Sequence, residues 1–342
     1  MDVPADKAGR ALDVVAVNGQ TGHGAILREP SRGSRCRYVV RFLFPFAALV
    51  LLVSAAHAKI PEPPKEAAVI QTGREPCGLA AFGGELWVGV YGTGTVLRLD
   101  RAGRVQRRHR VGRFACTVAV SRRAAWVTRD NANEVVRIDV RSGRLTRIQV
   151  TSPYHLVLGA GAIWATSFDT GTVTRIDPRT ARATRVWNVG ANPVGLAFCA
   201  GKLWVGHARS ATWVTAIDPR TGRTQRIDVA VRAPRMPRCI SGELWVTNED
   251  SALRLSPHTG EVLGHIMLGG TPAEAGAARS AGGGFAIWVT NKERSLVHRI
   301  DPSSGQVVDS FPAGPGALAQ ARFDGSVWIS SFAGSDVRRY DP

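Results

Sequence analysis

From Ala67 to the end of the chain, hydrophobic and polar positions alternate in short runs broken by glycine, proline and aspartate, a pattern of many half-buried strands. One phrase stands out, a tryptophan inside a small apolar run after a glycine-type turn. It occurs as ELWVGV (Trp87), AAWVTR (Trp126), AIWATS (Trp164), KLWVGH (Trp204), ELWVTN (Trp245), AIWVTN (Trp288) and SVWISS (Trp328). The spacings are 39, 38, 40, 41, 43 and 40 residues. A strand-built repeat of this period marks a β-propeller blade, so the fold class expected is all-β, a seven-bladed propeller of four-stranded antiparallel blades.

Each unit carries a second landmark thirteen or so residues on, ending at Asp100, Asp139, Asp177, Asp218, Ser256, Asp301 and Asp341. Turns such as DPRTG (Asp218 to Gly222) follow, where proline presets φ, glycine accepts positive φ and the aspartate can bond the turn backbone. These aspartates are therefore read as structural. An outer strand, a loop and a new inner strand complete the unit, giving strands A to D with the tryptophan on B and buried between blades. The seventh unit stops after its third strand. The stretch from Ala67 to Thr72 matches a fourth strand in sequence, so it is expected to close the ring as the outermost strand of the last blade, removing open sheet edges.

The first 58 residues read differently. Arg35, Arg37 and Arg41 precede an apolar run from Phe42 to Ala56, and Ala56-His57-Ala58 has the small residues of a cleavage site. The run is short for a membrane span. The expected organisation is an N-terminal extension with signal peptide (1–58), a proline-rich spacer (59–66) and the propeller (67–342), secreted after cleavage near Ala58. Contact with a membrane is expected only if the segment stays uncleaved. Signal peptides seldom lie so far from the initiator, so translation is expected to start at a non-Met codon near Val39 or Val40.

Composition refines this picture in two ways. The net charge of +17, of which +14 belongs to residues 59–342, invites acidic partners. No basic run is interleaved with aromatics, so nucleic acid is not expected. Cys77, Cys116, Cys199 and Cys239 follow the cleavage site. An exported set of four permits three pairings, and their places in adjacent blades favour 77–116 and 199–239.

Antiparallel strands send the D-to-A and B-to-C loops to one face, which holds most of the variation. Its candidates for ligand binding are Tyr154, Arg129, Asp130, Arg235, Arg238, Asp250 and Glu274; its candidates for acid–base chemistry are His155, His207 and Glu249. No His or Cys pair has metal-ligand spacing, so no metal is expected from the residues themselves.

With G-x-x-P, G-x-LW-V-T-N and V-x-R-I-D-P-x-T-G in view, the chain resembles the YVTN-repeat and streptogramin (virginiamycin B) lyase-like group of seven-bladed propellers. The resemblance covers roughly residues 67 to 342 and implies a lyase that opens a cyclic depsipeptide with Mg²⁺, a histidine base and a glutamate. The family's histidines follow a loop proline about ten residues before the tryptophan. Here those places hold Cys77, Cys116, Tyr154, Val194, Arg235, Ala273 and Leu318, with His155 one residue away; Glu249 matches the glutamate in spacing. The function expected is therefore a monomeric binding module for an anionic envelope polymer or protein, with a lyase or hydrolase of rearranged residues as the alternative.

Overall fold

The computed structural model describes residues 63–279 and 284–341; the signal peptide expected up to Ala58 lies outside the described residues. The described chain is seven four-stranded antiparallel sheets, with a single 3₁₀ turn at Asp130–Ala132. Blade one runs Pro76–Phe82, Glu85–Val90, Thr95–Leu99 and Val105–Arg110. The inner strands of blades two to seven are Ala115–Val120, Pro153–Gly159, Pro193–Cys199, Met236–Ile240, Pro272–Arg279 and Ala317–Phe323. Each touches the next, and the seventh touches the first, so the sheets form a closed ring.

The closing strand is Lys65–Gln71, which pairs antiparallel with Asp336–Asp341 and becomes the outermost strand of blade seven. It begins two residues before the sequence pattern places it, because the Glu66 carboxylate is drawn onto Arg338 and the Tyr340 hydroxyl. All seven repeat tryptophans are fully buried. Each packs against the following blade: Trp87 against Val118, Val127 and Val136, and Trp328 against Leu86, Val88 and Leu97. The landmark aspartates accept backbone N–H groups of their own turns, as Asp177 does from Arg179 and Thr180. These bonds hold the carboxyls of Asp100, Asp139, Asp177 and Asp218 below the usual carboxylate range, and at Asp301 the Ser303 hydroxyl leads with the backbone N–H groups behind it. In six blades the arginine of the second landmark lies directly opposite the tryptophan, as Arg98 opposite Trp87. Arg98 and Arg254 then reach the turn carbonyls of Val140 and Pro302 in the next blade.

In five blades the residue two places after the tryptophan joins neighbouring blades. Thr128, Thr166, Thr247, Thr290 and Ser330 donate their hydroxyls to the carbonyls of Tyr154, Val194, Ala273, Leu318 and Cys77, each on the next inner strand. Four of the same hydroxyls accept an N–H from their own inner strand, at Thr117, His155, Glu274 and Ala319. Those N–H groups fall where a shift in strand register leaves the inner strand unpaired with strand B. One side chain thus satisfies a bulge and ties two blades.

Blades one and four carry Gly89 and Gly206 at this position. A Cβ on them would lie 2.1 Å from the Cys116 carbonyl oxygen and 1.9 Å from that of Arg235. These two junctions are also the ones crossed by the disulfides, Cys77–Cys116 and Cys199–Cys239, the pairings favoured from sequence. Where backbones approach too closely for a hydroxyl bridge, a covalent bridge takes its place. The repeat consensus suggests threonine as a stabilising replacement at Gly206, but the structure predicts the reverse. Gly206→Thr is expected to cost about 3 kcal/mol from overpacking. Gly264→Ala, whose Cβ would meet only Arg254 at 3.7 Å, should fall within about 0.5 kcal/mol of the parent. Urea unfolding of the two variants decides between consensus and contact.

Candidate functional site

The seven positions ten residues before the tryptophans, fifteen in blade six where a longer loop separates Ala273 from Trp288, are structurally equivalent. Cys77, Cys116, Tyr154, Val194, Arg235, Ala273 and Leu318 each lie three residues before the inner-strand partner of a Trp backbone, for example Tyr154 before Val157. All seven line one cavity of about 450 Å³ at the centre of the ring. Five of their carbonyls, those of Cys77, Tyr154, Val194, Ala273 and Leu318, are held by the threonine and serine hydroxyls, and those of Cys116 and Arg235 close on Gly89 and Gly206, so the repeat phrase sets the height of this ring. Below it the wall is apolar, with Leu79, Val118, Leu156, Val157 and Met236.

The polar groups of the cavity gather on blades three, five and six. Arg235 donates through Nη2 to the carbonyls of Asn248 (2.7 Å) and Pro272 (3.2 Å), which fixes one edge of its guanidinium. Burial lowers its pKa, with Tyr154 and Glu249 pulling the other way. Arg238 and Glu274, from adjacent blades, form an ion pair at 2.8 Å. Glu274 is the only carboxylate lining the cavity among the described residues. Lys292 stands at the rim with Nζ 4.5 Å from the Phe332 ring centroid.

Tyr154 opens its ring to the channel (44% exposed) and stacks on Phe168 at 5.8 Å. Desolvation raises the pKa of its hydroxyl, against the pull of Arg235. His155 lies beside it, only 4% exposed, with Nδ1 unpartnered. Desolvation, helped by the Arg238 cation, pushes His155 down to about 3, so the imidazole is neutral at physiological pH.

The structure therefore brings Tyr154, His155, Arg235, Arg238 and Glu274 together, with the Cys77–Cys116 bridge in the same wall. The other sequence candidates sit elsewhere. Arg129 pairs with Glu134 and donates to the Arg113 carbonyl at 3.0 Å. Asp130 opens the 3₁₀ turn beside Tyr91, and burial raises its pKa. His207 is fully buried, with Nδ1 3.0 Å from the Ala191 carbonyl and Nε2 3.0 Å from Thr215 Oγ1. It packs blade four together and does not line the cavity. Glu249 meets Arg232 at 3.5 Å, and with Asp250 it borders a separate hollow with His265 and Met267.

Lys292 and the apolar wall were not singled out from sequence. The wall was signalled by the inner-strand residues after each loop proline; Lys292 had no comparable mark.

The Mg²⁺ implied by the family resemblance does not fit this site. The ring offers disulfide sulfurs, a phenol, a guanidinium and three apolar side chains, whereas Mg²⁺ takes carboxylate, phosphate and water oxygens. The one carboxylate is already held by Arg238. Among the described residues no three His, Cys, Asp or Glu side chains gather as a metal-binding group.

The chain matches no family model and no curated protein. Among solved structures it is similar to a streptogramin B lyase, at 17% identity and a TM-score of 0.68, covering 80% of this chain and 97% of that one. It is also similar to the computationally designed Ika8 protein, at 13% identity and a TM-score of 0.60, covering 81% and 99%. A third is Kuenenia stuttgartiensis hydrazine synthase, at 12% identity and a TM-score of 0.62, covering 80% and 97%. Proteins this different in sequence share an architecture without sharing a site, so what these likenesses establish is the fold, a seven-bladed β-propeller like that of streptogramin B lyase.

Proposed function

We propose that the protein is a secreted binding module that takes an acidic group of a cell-envelope ligand, polymer or protein, into the mouth of its central channel. The observation that carries this reading is the convergence of Arg235 and Lys292 on an apolar cavity in which Arg238 and Glu274, the one carboxylate lining it among the described residues, offset each other. A cavity of about 450 Å³ suits a single chain end or a small acidic molecule. The apolar wall receives the body of the ligand. Arg235 has one nitrogen anchored to two carbonyls, which leaves its remaining N–H groups for the anion. Two disulfides suit an oxidising, extracytoplasmic compartment, in keeping with the signal-type run before Ala58.

The test is a titration with a fluorescent aryl-alkyl carboxylate and its neutral amide. The acid should bind about tenfold or more tightly than the amide, and Lys292→Ala should remove much of that difference. Equal affinity for acid and amide would exclude an anion site.

A lyase or hydrolase acting on a cyclic ester is the second reading, favoured by the neutral, unpartnered His155 against the same cavity. Glu249, which that reading would use, lies outside the cavity and pairs with Arg232. Turnover of a cyclic depsipeptide or lactone that disappears in His155→Ala would put this reading first.

A further inference from the structure

The excess positive charge is confined to one side of the ring. Residues 73–230, which form blades one to four, hold 24 Lys and Arg against 10 Asp and Glu, whereas residues 231–341 hold 11 of each. In four consecutive blades the C-to-D turn presents two exposed arginines at the same two places. They are Arg101 and Arg104, Arg141 and Arg144, Arg179 and Arg182, and Arg220 and Arg223. The matching places in blades five and six hold His258 and Glu261, then Ser303 and Gln306.

Each turn also carries one aspartate, tied to its own turn backbone, which offsets one of the two arginines at most, so a net positive charge remains on every one of the four turns. Of the eight arginines, Arg104 pairs with Asp100 and Arg101 with Asp324; the other six have no ion pair within 4.0 Å among the described residues. Arg98, Arg254 and Arg299 show that arginine serves packing in this fold. The turn arginines do not: they are exposed, repeated and mutually repulsive, which costs stability unless an external anion offsets it. The array continues onto the outer strands through exposed Arg107, Arg108, Arg110, Arg185 and Arg226.

We propose that this crescent binds a linear acidic glycan, lying along the C-to-D rim of blades one to four and engaging one arginine pair per blade. The periodicity suits an extended chain with repeated anionic groups, and a small anion would use only one turn. A flat anionic membrane would miss the arginines that point sideways from the outer strands. Nucleic acid would want stacking aromatics, and Phe82 is the one exposed large aromatic at this end among the described residues. This surface lies at the opposite end of the blades from the channel mouth, so it does not depend on the channel being a binding site.

The experiment uses the full chain with fluorescein-labelled polygalacturonate and a sulfated glycan as separate probes, with neutral dextran as control. Binding at low salt should fall steeply as salt rises. Arg141→Glu/Arg179→Glu/Arg220→Glu should weaken binding about tenfold or more, by analogy with the loss of several backbone contacts to a polyanion. A matched variant, Arg209→Glu/Arg294→Glu/Arg322→Glu, carries the same charge change at exposed residues outside the crescent and should stay within about twofold. Glutamine at the three crescent positions provides a milder variant, and thermal melts confirm that each variant is folded. Whether the uronate or the sulfated probe binds more tightly identifies the acidic group. Equal losses in the two glutamate variants, no binding to either glycan, or tighter binding to phosphatidylglycerol vesicles or duplex DNA would each overturn the proposal.

Discussion

A chain that begins at Gly73 should melt at least about 10 °C below the intact protein, or fail to unfold in a single transition. The strand removed, Lys65–Gln71, makes the outer pairing of Asp336–Asp341. Its loss frees the Tyr340 hydroxyl from Glu66 (3.1 Å) and Arg338 from the same carboxylate (2.9 Å). Tyr340, now 1% exposed, would open to solvent, and Ile70 would leave the cluster around Trp328. Thr72, which donates to the Ser335 carbonyl at 3.2 Å, would go too. Losing a strand's ladder and its packing amounts to about 5 kcal/mol, and a domain this large shifts by about 2–4 °C per kcal/mol. The exposed edge of Asp336–Asp341 would also invite association. Scanning calorimetry of the truncated chain, with and without a peptide of residues 63–72, measures this directly. A melt within about 2 °C of the intact protein would show that the ring holds without its closing strand.

The fold was legible because it is written seven times. Trp87 and its six counterparts are large, regularly spaced and buried without exception, so period alone placed strand B of every blade. The disulfides were legible for a related reason. Cys77 and Cys116 occupy equivalent places in adjacent blades, and equivalent places on neighbouring inner strands lie side by side, here with Cα atoms 4.9 Å apart.

The site was legible only in part, because a loop's face can be counted but a side chain's direction cannot. Tyr154, Arg235 and Glu274 sit at inner-strand starts, where the ring geometry turns them or their neighbours to the channel. His207 and Glu249 follow the tryptophan at similar distances, yet one is consumed by Ala191 and Thr215 and the other turns toward Arg232. Gly89 and Gly206 stand where the other five blades carry threonine or serine. Their reason, the close approach of the next blade's carbonyl, exists only in three dimensions.

Acid should unfold the protein in two stages, with the histidines acting before the carboxylates. His109, His155 and His207 are buried, and desolvation pushes them down to about 4, 3 and 4 respectively, from an ordinary value of 6.5. Arg107 and Arg98 add to the effect at His109, whose Nε2 has no partner and whose ring stacks on Trp87 at 5.7 Å. Groups depressed in this way stay neutral in the folded protein while the unfolded chain takes up protons below about 6.5. Stability is therefore complete above that pH and is lost as pH falls toward 4. One unmatched proton changes stability by about 1.4 kcal/mol per pH unit, so these three contribute at most about 4 kcal/mol per unit between pH 6 and 5, and His298, also lowered by desolvation, adds to the same slope. The turn aspartates have depressed values as well, and their share is lost only below about 4, where the unfolded carboxylates protonate. Urea unfolding at pH 7.5, 6 and 5 should show a flat upper region and then this decline. His109→Leu keeps an apolar partner on Trp87 and removes one proton, so the slope between pH 6 and 5 should drop by about a quarter to a third. An unchanged slope in that variant would mean that His109 does not remain neutral in the folded protein.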